Sequence, residues 1–210
     1  MAGNRRGKST GRSRPRPSSG ESSLRVVGGN LRGRSFRYNG DPGLRPMKDR
    51  VREAVFNLVG PAVRDRQVVD LFGGTGAMSF EAISRGAKQA VVIERKFPNV
   101  RLIQENAATL GIGEQLDVRA GDTFLQYNQL ELGDDPWLVF CCPPYEFYAS
   151  RTAELVELVE WFCDGSPRGS LIVVESDQRF DSDMLPNADT WDVRFYPPAV
   201  IGIFEKRSGS

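Results

Sequence analysis

From Gln67 onward the chain alternates two kinds of pattern. Near-continuous apolar runs occur at Val68–Phe72, Ala90–Ile93, Trp137–Cys141 and Leu171–Val174, with a less continuous one at Leu116–Arg119. Between them lie stretches with helical spacing, near Ala77–Arg85, Pro98–Leu110 and Tyr148–Phe162. Apolar strands separated by helices predict a parallel sheet covered on both faces. After Asp177 the pattern changes. The runs Trp191–Tyr196 and Val200–Glu205 are joined through Pro197-Pro198 with no helix between them, so they pair antiparallel. The expected fold class is α/β: a mostly parallel seven-stranded sheet with an antiparallel last strand and helices on both faces.

Upstream the pattern is different. Residues 24–38 (LRVVGGNLRGRSFRY) place two β-prone runs around Gly28-Gly29-Asn30, a hairpin signal. A loop rich in Gly and Pro follows over 39–46. Met47–Val59 then reads as a helix, with Val51, Val55, Leu58 and Val59 on one face and a charged start of Lys48, Asp49, Arg50, Arg52 and Glu53. Residues 1–23 are Arg, Ser, Gly and Pro with no large apolar side chain, and cannot offset the entropy of ordering. The expected organisation is a disordered basic tail over 1–23, a small hairpin-helix extension over 24–60 and the main domain over 61–210. The tail reads equally as a solubilising segment or as an arm for a polyanion.

Charge sharpens that division. The formal sum is only +1, yet residues 1–52 hold 14 of the 28 Lys and Arg with three acids (Glu21, Asp41, Asp49), about +11. The remainder carries about −10. A basic front on an acidic body points to a polyanionic partner. The chain has no histidine, which excludes a His general base, Ser-His and Cys-His nucleophile pairs and any His-bearing metal site. Cys141, Cys142 and Cys163 are too few for a disulfide framework or a four-Cys zinc site, so no metal is expected and a reducing compartment is. No apolar run approaches the ~20 residues of a membrane span. The basic start lacks the apolar stretch of a secretory signal, although an Arg- and Ser-rich start is also what an organellar transit peptide carries. A cytoplasmic location is expected.

The chemistry concentrates in two loops. Val68-Val69-Asp70-Leu71-Phe72-Gly73-Gly74-Thr75-Gly76-Ala77 is an apolar strand, an acid, a glycine-rich turn and a helix start. Such a turn lies at the carboxyl edge of an open α/β sheet, where ligands bind. Glu94 ends the next strand, where a carboxylate can hold ribose hydroxyls. A nicotinamide fingerprint has no need of the acid at Asp70, and its third glycine would fall at Ser79. A cationic sulfonium cofactor explains Asp70 better. Gly121-Asp122-Thr123 follows the third strand; Asp122 suits either an adenine amino group or a helix N-cap. Cys142-Pro143-Pro144-Tyr145 follows the fourth apolar strand.

With that loop the chain resembles the class I S-adenosylmethionine-dependent methyltransferases that modify exocyclic amines of bases, which carry Asp/Asn-Pro-Pro-Tyr/Phe at this place. It resembles more closely the bacterial family that methylates guanine N2 in 16S ribosomal RNA. The matching blocks are Arg25-Val26-Val27-Gly28-Gly29, Arg32-Gly33-Arg34, Gly43-Leu44-Arg45-Pro46 and Asp49-Arg50-Val51-Arg52-Glu53 with Phe56-Asn57. They continue with Asp70 to Gly76, Glu81-Ala82-Ile83-Ser84-Arg85-Gly86, Glu94 and Val174-Glu175. The likeness covers roughly residues 24–206. It implies a Rossmann-like class I methyltransferase core, S-adenosyl-L-methionine as cofactor, and ribosomal RNA or the small ribosomal subunit as partner. It implies that Asp70, Phe72, Gly73, Gly74, Thr75, Gly76, Glu94, Asp122 and Thr123 hold the cofactor. Arg25, Arg32, Arg34, Arg45 and Arg50 would contact RNA, and Cys142, Pro143, Pro144 and Tyr145 would form the catalytic loop, Tyr145 stacking on an extruded base.

Two departures stand out. Cys142 occupies the position of the family's Asp or Asn, and a thiol is a weak acceptor. Three readings follow: catalysis by backbone and positioning alone, an RNA-binding pseudoenzyme, or a Cys nucleophile for pyrimidine C5. An amine on another base is the remaining alternative substrate. Met47-Lys48 replaces a small hydroxyl pair. Arg50 and Glu53, one helical turn apart, are expected either to order the front helix over the site or to form a surface ion pair.

Overall fold

The apolar runs become strands and the helically spaced stretches become helices in a computed structural model that describes residues 22–41, 43–178 and 181–207. A hairpin of β1 (Ser22–Arg25) and β2 (Ser35–Tyr38) leads to α1 (Asp49–Val59). The alternating part runs β3 (Gln67–Asp70), α2 (Ala77–Ser84), β4 (Gln89–Glu94), α3 (Phe97–Leu110) and β5 (Leu116–Ala120). It continues through α4 (Thr123–Gln126), β6 (Trp137–Cys141), α5 (Phe147–Ser150), α6 (Thr152–Gly165) and β7 (Leu171–Asp177). Strands β8 (Asp192–Tyr196) and β9 (Ala199–Glu205) close the chain. Among the described residues no helix is long and apolar enough to cross a membrane.

Seven strands form one sheet in the order β5-β4-β3-β6-β7-β9-β8. Neighbours from β5 to β7 are parallel, and β9 is antiparallel to β7 and to β8. The α/β class and the antiparallel last strand are as expected. The chain steps outward from β3 to β5 and returns to β6 on the other side of β3. That reversal leaves a crevice beyond the carboxyl ends of β3 and β6, where ligands of such sheets bind.

Alternation along the central strands divides the core in two. Val68, Leu138 and Phe140 pack with Val55, Phe56, Phe80 and Ile103 on one face. Val69, Leu71 and Val139 pack with Leu158 and Phe162 on the other. Each fully buried aromatic or branched aliphatic contributes about 1.5–3 kcal/mol by leaving water.

The extension has no core of its own: Val26, Phe36, Val51, Val55 and Phe56 join the first of these clusters. Residues 26–34 form a loop that docks on α2 and α3, so Val26 and Val27 leave the strand that their β-propensity predicts. The Val27 N–H donates to Glu81 Oε2 (2.8 Å), Asn30 N–H to the Ser84 carbonyl (2.7 Å) and Ser84 Oγ to the Gly28 carbonyl (2.6 Å). At Gly29 (φ 72°) a Cβ would stand 2.0 Å from the Ser84 carbonyl oxygen, so only glycine allows this approach. The tail expected over 1–23 lies outside the described residues as far as 21, while Ser22 and Ser23 belong to β1.

Two helices differ from expectation. α1 begins at Asp49, because Lys48 is extended (φ −61°, ψ 143°) and its carbonyl takes the first bonds, from Val51 and Arg52. The helix expected over 148–162 is split at Arg151 (φ −137°, ψ 32°). The Arg151 guanidinium is drawn onto Glu154 (2.6 and 2.7 Å) and over the Phe124 ring (3.8 Å), contacts that favour the break.

Candidate active site

Beyond the carboxyl ends of β3, β4, β6 and β7 lies a cavity of about 660 Å³. Its floor is the glycine turn after β3. That turn is held by Leu71 N–H on the Phe140 carbonyl (3.0 Å), Gly73 N–H on the Ile93 carbonyl (2.8 Å) and Gly76 N–H on the Gly73 carbonyl (2.7 Å). Gly76 has φ 79° and its added Cβ would stand 2.7 Å from Phe80 Cζ, so glycine is required for the turn to enter α2.

Phe72, Gly73, Gly74, Thr75, Glu94, Asp122, Thr123 and the whole Cys142–Tyr145 loop line this one cavity, together with Arg45. Glu94 Oε2 accepts from Gly74 N–H (2.8 Å), and Oε1 accepts from Lys96 N–H (2.8 Å). The carboxylate is therefore fixed against the turn and keeps acceptor capacity at the wall. Asp122 is the N-cap of α4, accepting from Phe124 N–H (3.0 Å), and still lines the cavity with Arg151 3.4 Å from its other oxygen. Thr123 Oγ1 donates to the Leu71 carbonyl. Phe72, Phe124 and Phe147 pack at centroid distances of 5.8–6.2 Å, and two of them give the cavity a flat apolar wall. Backbone at the floor, fixed carboxylates at the rim and aromatic rings at one side suit a nucleoside that carries a cation.

Asp70 and Gly76 do not reach the wall. Asp70 is 1% exposed beneath the turn and accepts from Ser79 Oγ (2.8 Å). Burial pushes its carboxyl up to about 6, against the Ser79 hydrogen bond, with Glu94 adding to the rise. It braces the loop from below.

The Cys142–Tyr145 loop is built against β7. Burial, then the Glu175 and Asp70 carboxylates, hold the Cys142 thiol well above the ordinary thiol range. That keeps it protonated and opposes the nucleophile reading, because the thiolate is the attacking species. The Tyr145 hydroxyl donates to Glu175 Oε1 (2.8 Å), and the Arg45 guanidinium lies 5.2 Å from the Tyr145 ring centroid. The Tyr148 hydroxyl donates to the Glu175 carbonyl (2.7 Å). Burial raises the Glu175 carboxyl, opposed by Tyr145 and Arg45. Glu175 lines the cavity, a role the strand pattern alone did not assign to it. The signal was present: the apolar run Leu171–Val174 is followed by an acid, Glu175, as the runs of β3 and β4 lead into Asp70 and Glu94.

The expected RNA arginines scatter. Only Arg45 lines the cavity. Arg25 pairs with Asp49 (2.8 Å) on the surface, and Arg32 is exposed. Arg34 donates to the Leu110 and Thr109 carbonyls (2.8 Å each) and closes the end of α3. Arg50 reaches the Pro197 carbonyl (3.4 Å) rather than Glu53. Met47 and Lys48 line the cavity, as does Pro198.

Comparison with known proteins agrees with this picture. Residues 24–194 match the family model described as conserved hypothetical protein 95. Over 161 residues the chain is 37% identical to ribosomal RNA small subunit methyltransferase D of Escherichia coli (strain K12), covering 76% of this chain and 77% of that one. Over 160 residues it is 31% identical to the protein of the same name from Haemophilus influenzae, covering 74% and 79%. The solved structure of yhhF from Escherichia coli superposes with a TM-score of 0.69 at 29% identity, covering 89% of this chain and 99% of that one.

Proposed function

Since the chain belongs to the conserved hypothetical protein 95 family, which includes ribosomal RNA small subunit methyltransferase D, we propose that it methylates the exocyclic N2 amine of a guanine in small-subunit ribosomal RNA. It is an S-adenosylmethionine-dependent ribosomal RNA methyltransferase. The choice of a base amine rests on one observation: the glycine turn, Glu94 and the Cys142-Pro143-Pro144-Tyr145 loop line one cavity.

When bound, S-adenosylmethionine supplies a methyl group on a cationic sulfur. The chain supplies the rest. Glu94 and the glycine turn suit ribose hydroxyls, and Phe72 and Phe147 suit a flat heterocycle beside Asp122. Arg45 and Tyr145 line the same cavity and suit a base. An exocyclic guanine amine is a poor nucleophile because its lone pair is delocalised into the ring. Acceptors at its N–H groups and in-line placement lower that barrier.

Ribosomal RNA from a strain lacking this gene should lose one N2-methylguanosine by nucleoside mass spectrometry. An unchanged methylation map would favour an RNA-binding protein without catalysis, the reading that a thiol in place of a carboxylate or amide at Cys142 supports.

A further inference from the structure

The geometry points to Glu175 as the catalytic carboxylate of this chain, the acceptor for the substrate amine that Cys142 does not provide. The inference rests on the guanine reading above. The sheet register places the two residues side by side. Cys141 pairs with Val174 in the parallel β6–β7 ladder, so Cys142, just past the end of β6, and Glu175, still within β7, are the next neighbours, and both line the same cavity.

Glu175 is 9% exposed, and what remains exposed belongs to a cavity-lining residue. Its Oε1 is held by the Tyr145 hydroxyl at 2.8 Å, while among the described residues no donor is placed on Oε2. A carboxylate has about four lone-pair directions, so both oxygens retain capacity. A buried carboxylate tied to the tyrosine of the Pro-Pro loop is a fixed acceptor, already oriented before the reaction begins.

The same group accounts for a choice of base. The N2 amine of guanine adjoins the N1–H, so this edge offers two donors side by side, which match the two oxygens of a carboxylate. The amines of adenine and cytosine each adjoin a ring nitrogen that is an acceptor and would face the carboxylate unpaired. Buried unpaired polar groups discriminate strongly. In the reaction the amine nitrogen forms the bond to the methyl carbon. The carbon–sulfur bond breaks with its electron pair left on sulfur. One proton of the resulting ammonium passes to Glu175, which becomes neutral and later yields it to water.

The test uses the full chain, labelled S-adenosylmethionine and small ribosomal subunits from a strain lacking the gene. Wild type, E175Q, C142D and the C142D/E175Q double variant are compared by single-turnover rate, calorimetric S-adenosylmethionine affinity and nucleoside mass spectrometry. E175Q should lower the rate at least about 100-fold, with cofactor affinity within threefold. In the C142D background the same change should cost less than tenfold, because the aspartate restores an acceptor. A rate for E175Q within threefold of wild type, or an equal loss in both backgrounds, overturns the proposal. Wild type without turnover beside an active C142D also overturns it. If E175Q does not fold, E175D withdraws the charge by one methylene, and an undiminished rate there sinks the idea. The product identifies the base separately: a methylated nucleoside other than N2-methylguanosine refutes the guanine reading, whatever the rates show. No turnover in either wild type or C142D refutes both.

Discussion

Asp70 shows how a residue recognised in the sequence changes meaning in the fold. It is an acid at the end of an apolar strand, as expected for the turn, but it lies 1% exposed below the cavity and works through the Ser79 hydroxyl. Burial raises its folded-state pKa to about 6, above the ordinary 3.8. The folded chain therefore holds a proton that the unfolded chain has lost between these values, and stability falls as pH rises through that window. The penalty reaches about 3 kcal/mol above pH 6. Urea denaturation from pH 4 to 7 should show that decline in the wild type and a flatter profile in Asp70→Asn; parallel profiles would refute it. A cationic ligand near this site recovers part of the penalty, which gives a physical reason for keeping a destabilising acid. Arg34 illustrates the opposite case. A loop arginine reads the same in sequence whether its partner is a phosphate or the carbonyls of Thr109 and Leu110, and only the fold separates the two.

At the scale of elements, the knot between extension and core is built on Glu81. Its carboxylate is fully buried and accepts from the Val27 N–H (2.8 Å) and Arg85 Nε (2.8 Å), with Arg52 Nε at 3.6 Å. Arg52 is 1% exposed and also donates to the Arg25 carbonyl (2.6 Å) and Asp49 (2.9 Å). Removing one member of a buried charged cluster leaves the others uncompensated and costs about 3–5 kcal/mol. Glu81→Ala should lower the urea midpoint accordingly, and a change under 1 kcal/mol would show that the knot contributes little. The sheet, its helices and the glycine turn were legible because local periodicity and turn chemistry specify them. The docked loop over 26–34 and the break at Arg151 were not: the loop's partners lie far away in the sequence, and at Arg151 the nearby Glu154 acts together with distant Phe124 and Asp122. Val27 meets Glu81, and Arg151 is drawn toward Asp122 and Phe124. The acceptor at Glu175 was half legible: an acid after an apolar run was visible, but its neighbour Cys142 emerges only from the β6–β7 register.

At the scale of the whole molecule, charge and core divide the chain differently. The basic front extends to residue 52, yet much of it is sewn into the acidic body through Glu81, Glu105 and the end of α3. Among the expected RNA arginines Arg32 is exposed, and residues 1–21, outside the described residues, carry six basic side chains and one acid. Deleting 1–21 should flatten the salt dependence of ribosomal RNA binding, by as much as about 4 in the logarithmic slope if every basic group meets a phosphate. An identical slope would mean that this segment makes no phosphate contact. The docking of the hairpin also bears on biosynthesis. Its partners Glu81, Ser84, Thr109 and Leu110 are translated 53 to 76 residues after the groups they hold. The loop over 26–34 therefore leaves the ribosome well before its anchors exist, and Arg34 emerges beside the machine's own RNA while the end of α3 that holds it is still unmade.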